Sequence, residues 1–525
     1  MSDRSTQTVE APMILRTHCL LILVCIVNLW AGEQLPAEEY CLRSQCRSEQ
    51  RLSSELAFCR HAKSRFKGVC RDGRAVYDVP GSQVRALQSM ASGIGSVIPD
   101  TEQRSTRLLI SYSNDNKPSE ETLTAAGLQM IQDYESGSFL IVEPRGAVTA
   151  DNIDALMADD AVAYVAPDYI MSVPKDEADG EIRPVATDSA PNDPMLNRLW
   201  GMPNCGATQV WRSSRDATNI IVAVIDSGVD YRHPDLQANM WSRGGTHGYD
   251  FYDDDNDPMD EENHGTHVAG TIAGVGHNGV GVVGVAWKTQ IMAMRFLGPD
   301  GSGATSDAVK CIDWAVANGA HILNNSWGGP DSSPELVEAV ARAERNGVLF
   351  VAAAGNTGGT GNNNDVRPSY PSSLRSANVI AVGAIDENDA RGSFSHYGKR
   401  SVDIGAPGVQ ILSTTRNNTY GTFSGTSMAS PHVAGAAALI WSTTFSDPRQ
   451  DPAQMIEVRD LIYENARPIP ALSEFWGHTA PARIPGGVLD ISFLARTSPE
   501  PLPPTEPPRS RFVENRMIVD PARLR

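Results

Sequence analysis

Three short segments of this sequence each set one chemically able side chain among small residues: an aspartate, a histidine and a serine. IIVAVIDSGVD (220–230) is a β-branched run that ends on Asp226-Ser227-Gly228. A buried parallel strand of this kind delivers its last side chain to the carboxyl edge of a sheet, where α/β folds place their ligands. Taken alone, the acid could equally cap the turn after the strand. NHGTHVAGTIAG (263–274) puts His264 just ahead of a helix whose Gly and Ala residues allow close packing. His264 and His267 stand three apart, whereas a helical zinc pair needs a spacing of four with a Glu between. His267 therefore reads as a structural histidine. GTSMASPHVAGAAALIW (425–441) opens a helix at Ser427, where exposed backbone N–H groups can hold a developing oxyanion. Pro431 falls early in that helix, where a missing N–H costs least. An N-cap serine with no further role would look the same in isolation.

Taken together the three residues make a reaction. A serine hydroxyl is a poor nucleophile until a base takes its proton, and imidazole, which titrates near neutral pH, suits His264 to that task. Asp226 would hold the correct tautomer and stabilise the imidazolium formed in the transition state. The elements that must position them are legible too. From 192 to 496, apolar strands such as IIVAVI, TQIMAMRFL, HILNNS, VLFVAAAG and NVIAVGA alternate with helical stretches such as SDAVKCIDWAVANG. That alternation predicts an α/β domain, a mostly parallel sheet with helices on both faces.

The remainder of the 525 residues reads as several further segments. Lys and Arg total 44 against 63 Asp and Glu, a formal net charge of −19, which argues against a nucleic-acid binder or a polybasic membrane-surface protein. Arg16 precedes an apolar run, Cys19 to Trp30, too short for a bilayer span and suited to a secretory signal over 13–32. An uncleaved anchor is the alternative, and Met1 and Met13 are both possible starts. No second run is long enough to span a bilayer, so a secreted product is expected. Cys41, Cys46, Cys59 and Cys70 cluster in 33–102 and are expected to form two disulfides, a zinc site being the rival. Cys205 and Cys311 stand alone and read as small buried side chains. Residues 103–173 read as a β-α-β-β-α-β unit: strands over 107–113, 131–135, 139–144 and 161–167, helices over 119–131 and 149–160. An acidic linker (174–191) leads to the catalytic domain (192–496), and a Pro-rich tail (497–525) follows it.

DSG, HGTHVAGT and GTSMASPHVAG resemble the three signatures of the subtilisin-like serine protease family, in the order Asp226, His264, Ser427. The resemblance covers about 190–495. It implies a secreted endopeptidase made as a zymogen, with 103–173, ending VAYVAPDYI, as an inhibitory propeptide. Asn356, at the end of VLFVAAAGN, matches the family's oxyanion asparagine; Asn325 is a weaker rival. FLGPDGSGATS (296–306), with Ser302 and Gly303, and NNSWGG (324–329), with Ser326, Trp327 and Gly328, resemble the stretches that flank an extended peptide substrate. Ser326 to Gly328, Ala352, Ala353, Ala354 and Gly355, and the Ser369-Tyr370 turn, would line the pocket before the scissile bond. Those segments hold no carboxylate, which favours apolar or aromatic residues over basic ones. Calcium is the expected cofactor. Eight carboxylates fall within 250–262, a density that needs water or a cation, and Asp253, Asp255 and Asp257 are the candidate ligands. Asp235, Asn278 and the carbonyls of Val280 and Val282 match a second family site. Protein or peptide substrates, a monomer and no nucleic-acid partner are expected. A narrow-specificity processing protease and a catalytically silent binding module are the rival readings.

Overall fold

The computed structural model describes residues 104–112, 116–146, 156–157, 159–173, 191–477 and 484–495, with short strands at Tyr40–Cys41, Arg65–Val69 and Ala75–Asp78. The expected signal, the cysteine-rich segment with its four cysteines, the linker after Val173 and the Pro-rich tail lie outside the side chains so described.

Before residue 173 four strands follow one another: β1 (Arg104–Tyr112), β2 (Leu128–Tyr134), β3 (Phe139–Pro144) and β4 (Val162–Ser172). The sequence predicts a helix over 119–131, but helix α1 stops at Glu120–Ala125. Ser119 caps its start, and Gly127, at φ +71, turns the chain into β2. The apolar residues after Gly127 thus belong to a strand rather than to a longer helix. The chain divides into two compact units, the smaller holding 117–129 and 144–162, the larger holding 103–116, 130–143 and everything from Ala163.

The larger unit is built on the expected α/β sheet. Its strands are β5 (Asp216–Asp226), β6 (Gly248–Asp250), β7 (Lys288–Arg295), β9 (Ile322–Asn325), β10 (Leu349–Ala353), β11 (Val379–Ile385), β12 (Ile404–Pro407), β15 (Arg467–Pro468) and β16 (Gly487–Val488). Their order across the sheet is β15-β16-β12-β11-β10-β9-β5-β7-β6, parallel except for the β15–β16 pair. A short strand β8 (Ser302–Ala304) leaves this sheet and joins the upstream one, whose order is β8-β4-β1-β3-β2. A hairpin, β13 (Ile411–Thr415) and β14 (Thr419–Phe423), stands apart.

The central strands are apolar on both faces because both are covered. Helices α2 (His264–Ala273) and α5 (Thr426–Thr444) pack on one side within a single apolar cluster. Helices α3 (Thr305–Ala317) and α4 (Pro334–Arg345) cover the other in a second cluster, which also holds Leu109, Phe139, Ile141 and Met171. A sheet dry on both faces needs continuous apolar strands rather than alternation. Cys205 and Cys311 are wholly buried, and burial pushes the Cys205 thiol up to about 12, as fits inert packing residues. Among the described residues no helix is long and apolar enough to cross a membrane.

Candidate active site

Asp226 is the last residue of β5, a strand in the interior of the sheet, and His264 is the first residue of α2. Their side chains meet: His264 Nδ1 lies 2.7 Å from Asp226 Oδ1, with both residues buried. The glycines of the two motifs permit this approach. A Cβ on Gly265 would fall 2.0 Å from the Gly228 carbonyl oxygen, so only glycine lets the helix start against the strand end. His267 does what a structural histidine should. Its Nε2 faces the carbonyls of Ile411 and Gly421, its ring stacks on Phe423, and burial pushes its pKa down to about 3.

Ser427 is the second residue of α5 and is buried. Its hydroxyl donates to the Ser326 carbonyl at 3.2 Å. The register of the sheet relates this to Asp226: Asn325 of β9 lies beside Ile225 of β5, so Ser326 is level with Asp226. Pro431 has a further consequence here. Lacking an N–H, it leaves the Ser427 carbonyl without its helical partner, and Ser326 Oγ donates to that carbonyl at 3.0 Å.

Asn356 follows β10, and its Oδ1 accepts from Thr426 N at 3.0 Å and Thr426 Oγ1 at 2.8 Å. With the oxygen so occupied, the amide presents its N–H₂ end as a donor beside the start of α5. Asn325 is a different case. Its Nδ2 donates to the Leu323 carbonyl at 3.1 Å and it is wholly buried, so it packs the strand ends together. Thr426 was not singled out from sequence, although its place directly before Ser427 in GTSM was the signal available.

The two predicted substrate-flanking segments run on either side of one strand, and that strand is the chain itself. Ile170–Ser172 pairs antiparallel with Ser302–Ala304, Gly303 opposite Met171. On its other side Ser172 N donates to Gly328 O at 3.2 Å and Gly328 N to Ser172 O at 2.9 Å. Val173 N adds a bond to Gly301 O. Trp327, Ala352, Ala353 and Ala354 are buried behind these segments. Ser369 Oγ lies 3.1 Å and 3.4 Å from where Cβ atoms on Gly355 and Gly328 would stand, so the Ser369-Tyr370 turn does join those walls.

The proposed metal ligands divide. Asp235 is wholly buried; its carboxylate accepts from Asn278 Nδ2 at 2.7 Å, Val282 N at 2.8 Å and Tyr420 OH, and burial lifts its pKa to about 6. Asp193, missed from sequence, is buried nearby and accepts from His277 N and Asn278 N. Asn278 Oδ1 in turn accepts from Val280 N at 2.8 Å, so Asp235, Asn278, Val280 and Val282 are linked by hydrogen bonds in one loop. In the acidic loop the candidate ligands have protein partners. Asp253 pairs with Arg295 at 3.0 Å, Asp255 accepts from Asp257 N, and Asp257 accepts from Tyr231 OH. Among the described residues no three acidic, His or Cys side chains converge as a metal would require. Arg295, 3% exposed, bonds Asp250, Asp253 and Glu261.

Comparison with known proteins gives one consistent picture. The model of the subtilase family matches residues 217–481. A thermophilic serine proteinase of a Bacillus species is 43% identical over 277 residues, 53% of this chain and 64% of that protein. An alkaline protease of Alkalihalobacillus alcalophilus is 39% identical over 60% of this chain and 71% of its own. Among solved structures, fervidolysin of Fervidobacterium pennivorans, a keratinolytic enzyme related to subtilisin, aligns with a TM-score of 0.58 and 28% identity. That alignment covers 70% of this chain and 58% of fervidolysin. The chain thus spans just under two thirds of the Bacillus proteinase and somewhat more of the alkaline protease.

Proposed function

The chain belongs to the subtilase family of serine proteases, and from that premise we propose that it is a secreted endopeptidase made as an inhibited precursor. Ser427 is the nucleophile, His264 the base and Asp226 its orienting partner. The observation that carries this is the buried 2.7 Å bond between His264 Nδ1 and Asp226 Oδ1, one strand away from the Ser326–Ser427 contact. With Nδ1 so engaged, Nε2 is the nitrogen able to take the Ser427 proton. Ser427 Oγ then bonds to the scissile carbonyl carbon, and the carbonyl oxygen becomes an oxyanion. Asn356 Nδ2 and Ser427 N–H are its donors. The imidazolium returns its proton to the leaving amine, and water reverses the sequence on the acyl-enzyme.

The substrate is an extended peptide, held mainly by main-chain bonds to Gly301–Gly303 and Gly328, as the chain's own Ile170–Val173 is. Apolar side chains are favoured. Met171, which shares an apolar cluster with Phe296 and Trp327, is the kind of side chain such a cleft takes. Residues 103–173 act as the inhibitor, because a strand lying in the cleft excludes any other peptide. The bond to be cut lies beyond Val173, within 173–192. Asp235, Asn278 and the carbonyls of Val280 and Val282 would hold a calcium ion, which would supply charge compensation for the buried Asp235 carboxylate.

A fluorophosphonate, which reacts only with an activated serine, tests the reading. Processed chain should be labelled at Ser427 and lose peptidase activity in proportion. Processed chain that takes no label would show a silent scaffold.

A further inference from the structure

Asp260 stands outside the triad, four residues ahead of His264, and is wholly buried. Its Oδ1 accepts from Ser227 Oγ at 2.9 Å, Glu262 N at 2.8 Å and Asn263 N at 3.0 Å. Its Oδ2 accepts from Thr266 N at 2.9 Å and from Thr266 Oγ1 at 2.5 Å. The two hydroxyls are themselves acceptors, Ser227 Oγ from Gly265 N and Thr266 Oγ1 from Asp230 N. Each hydroxyl hydrogen is therefore free to point at Asp260, and every group facing the carboxylate is a donor. Burial pushes the Asp260 carboxyl above its usual value, and this shell of donors opposes that shift and favours the ionised form.

The connectivity matters more than the count. Ser227 is the covalent neighbour of Asp226, and its N–H also bonds Asp226 Oδ1 at 2.8 Å. Glu262, Asn263, Gly265 and Thr266 bracket His264 on both sides. A helix cap alone would use only the Thr266 N bond. Asp260 instead ties the end of β5 to the start of α2, with the Asp226–His264 bond between them.

We propose that Asp260 is a positioning residue for the Asp226–His264 pair, holding the two elements in one register and placing a fixed negative charge behind the imidazole. The proposal rests on the peptidase reading for its kinetic consequence. Other titratable groups also face His264: Asp226 through Nδ1, Glu262 through His264 N at 2.7 Å, and His267 one turn along, which burial keeps neutral. A negative charge near the ring favours imidazolium. Removing the Asp260 charge should thus let His264 remain a free base to lower pH.

The test uses processed Asp260→Asn, with kcat, KM and the rate of fluorophosphonate labelling followed across pH. We expect kcat to fall by about 10²-fold with KM within about twofold. The acid limb of the rate profile should move down by about one pH unit. A merely structural role would lower thermal stability and leave the limb at the parent's pH. Should Asp260→Asn not mature, Ser227→Ala decides. It cuts the link to Asp226 but keeps the Asp260 bonds to α2, and should lower kcat while leaving the limb in place. An unmoved limb in Asp260→Asn, or unchanged kcat in Ser227→Ala, overturns the proposal. NMR titration of the His264 ring gives the same readout without any reaction. A parent that takes no label, with a His264 titration that still moves in Asp260→Asn, loses the peptidase reading and keeps this one.

Discussion

Asp260, beside the Asp226–His264 pair, and Glu335, in the first turn of α4, are both buried carboxylates near a helix start, and the protein satisfies them differently. Asp260 is surrounded by donors from its own domain. Glu335 Oε1 accepts from Ser111 Oγ of β1, while its Oε2 is buried without a hydrogen-bond partner. Two more carboxylates share the second setting. Asp168 of β4 accepts from Ser306 N and Ser306 Oγ at the start of α3, with Arg107 3.4 Å away. Asp313 of α3 is paired with Arg342 and accepts from Tyr134 OH of β2. The first group is dry in every state of the domain. The second is dried at the contact with the strands upstream of residue 173, Asp168 itself standing on one of them. A carboxylate dried by a permanent shell is a structural fixture, whereas one dried by a removable strand reports whether that strand is there.

The steepest loss should come from the candidate catalytic residues that the Asp260 shell adjoins. Ser427→Ala should lose about 10⁶-fold in kcat, the scale on which such a triad depends on its nucleophile. It should also accumulate as a precursor uncut between 173 and 192, seen by intact mass. Accurate cleavage of purified Ser427→Ala with no other protease present would end the claim that processing is autocatalytic. Asn356→Ala comes next, at about 10²–10³-fold in kcat with little change in KM. A loss confined to KM would instead make Asn356 a substrate-positioning group.

The second group predicts a pH dependence of opposite character. Burial at the contact between these strands and the domain lifts Asp168 from 3.8 to about 6, and pushes Glu335 and Asp313 up as well. Docking therefore takes up protons. It is strongest below the undocked values and weakens as pH rises through the docked ones, so its window for Asp168 is between pH 3.8 and about 6. Over that window the linkage of Asp168 alone allows a change of up to about 100-fold. Hydrogen exchange in full-length Ser427→Ala, corrected for intrinsic rates, should show protection of 163–172 falling as pH rises. Glu335→Gln should flatten the dependence. Protection independent of pH from 4 to 7 would erase the distinction between the two groups.

Smaller effects test the metal assignments. Calcium at one hundred times its Kd should stabilise the chain by about 2.7 kcal/mol, so EDTA should lower the melting temperature. An unchanged melting temperature would remove calcium from the account. Asp253→Asn should cost less than about 1 kcal/mol, because Asp253 is half-exposed, and should leave the calcium response unaltered.

The fold class is legible in the sequence alone, and the three candidate side chains stand out there too, because both are written in local patterns. Continuous apolar runs such as IIVAVI specify buried parallel strands, and glycine-spaced strings such as HGTHVAG and GTSMASP specify close approaches that few other residues could make. Glycines mark where another backbone can come near, and Gly303 and Gly328 do lie beside the chain's own Met171 and Ser172. Other features depend on residues far apart in the chain, and only the tertiary structure decided them. Asp260 looked like one more member of an acidic loop until Ser227 and Thr266 were seen to converge on it. Arg295, about forty residues on from Asp253, carries no local sign that its guanidinium pairs with Asp250, Asp253 and Glu261. Asn356 and Asn325 have similar local contexts, each at the end of an apolar strand. What separates them is Thr426, from which the Asn356 amide oxygen accepts two hydrogen bonds, a contact no local pattern announces. Local patterns state which backbone forms and which side chains are small. Which charges neutralise one another is set by what folding brings within a few ångströms, and sequence spacing does not encode that distance.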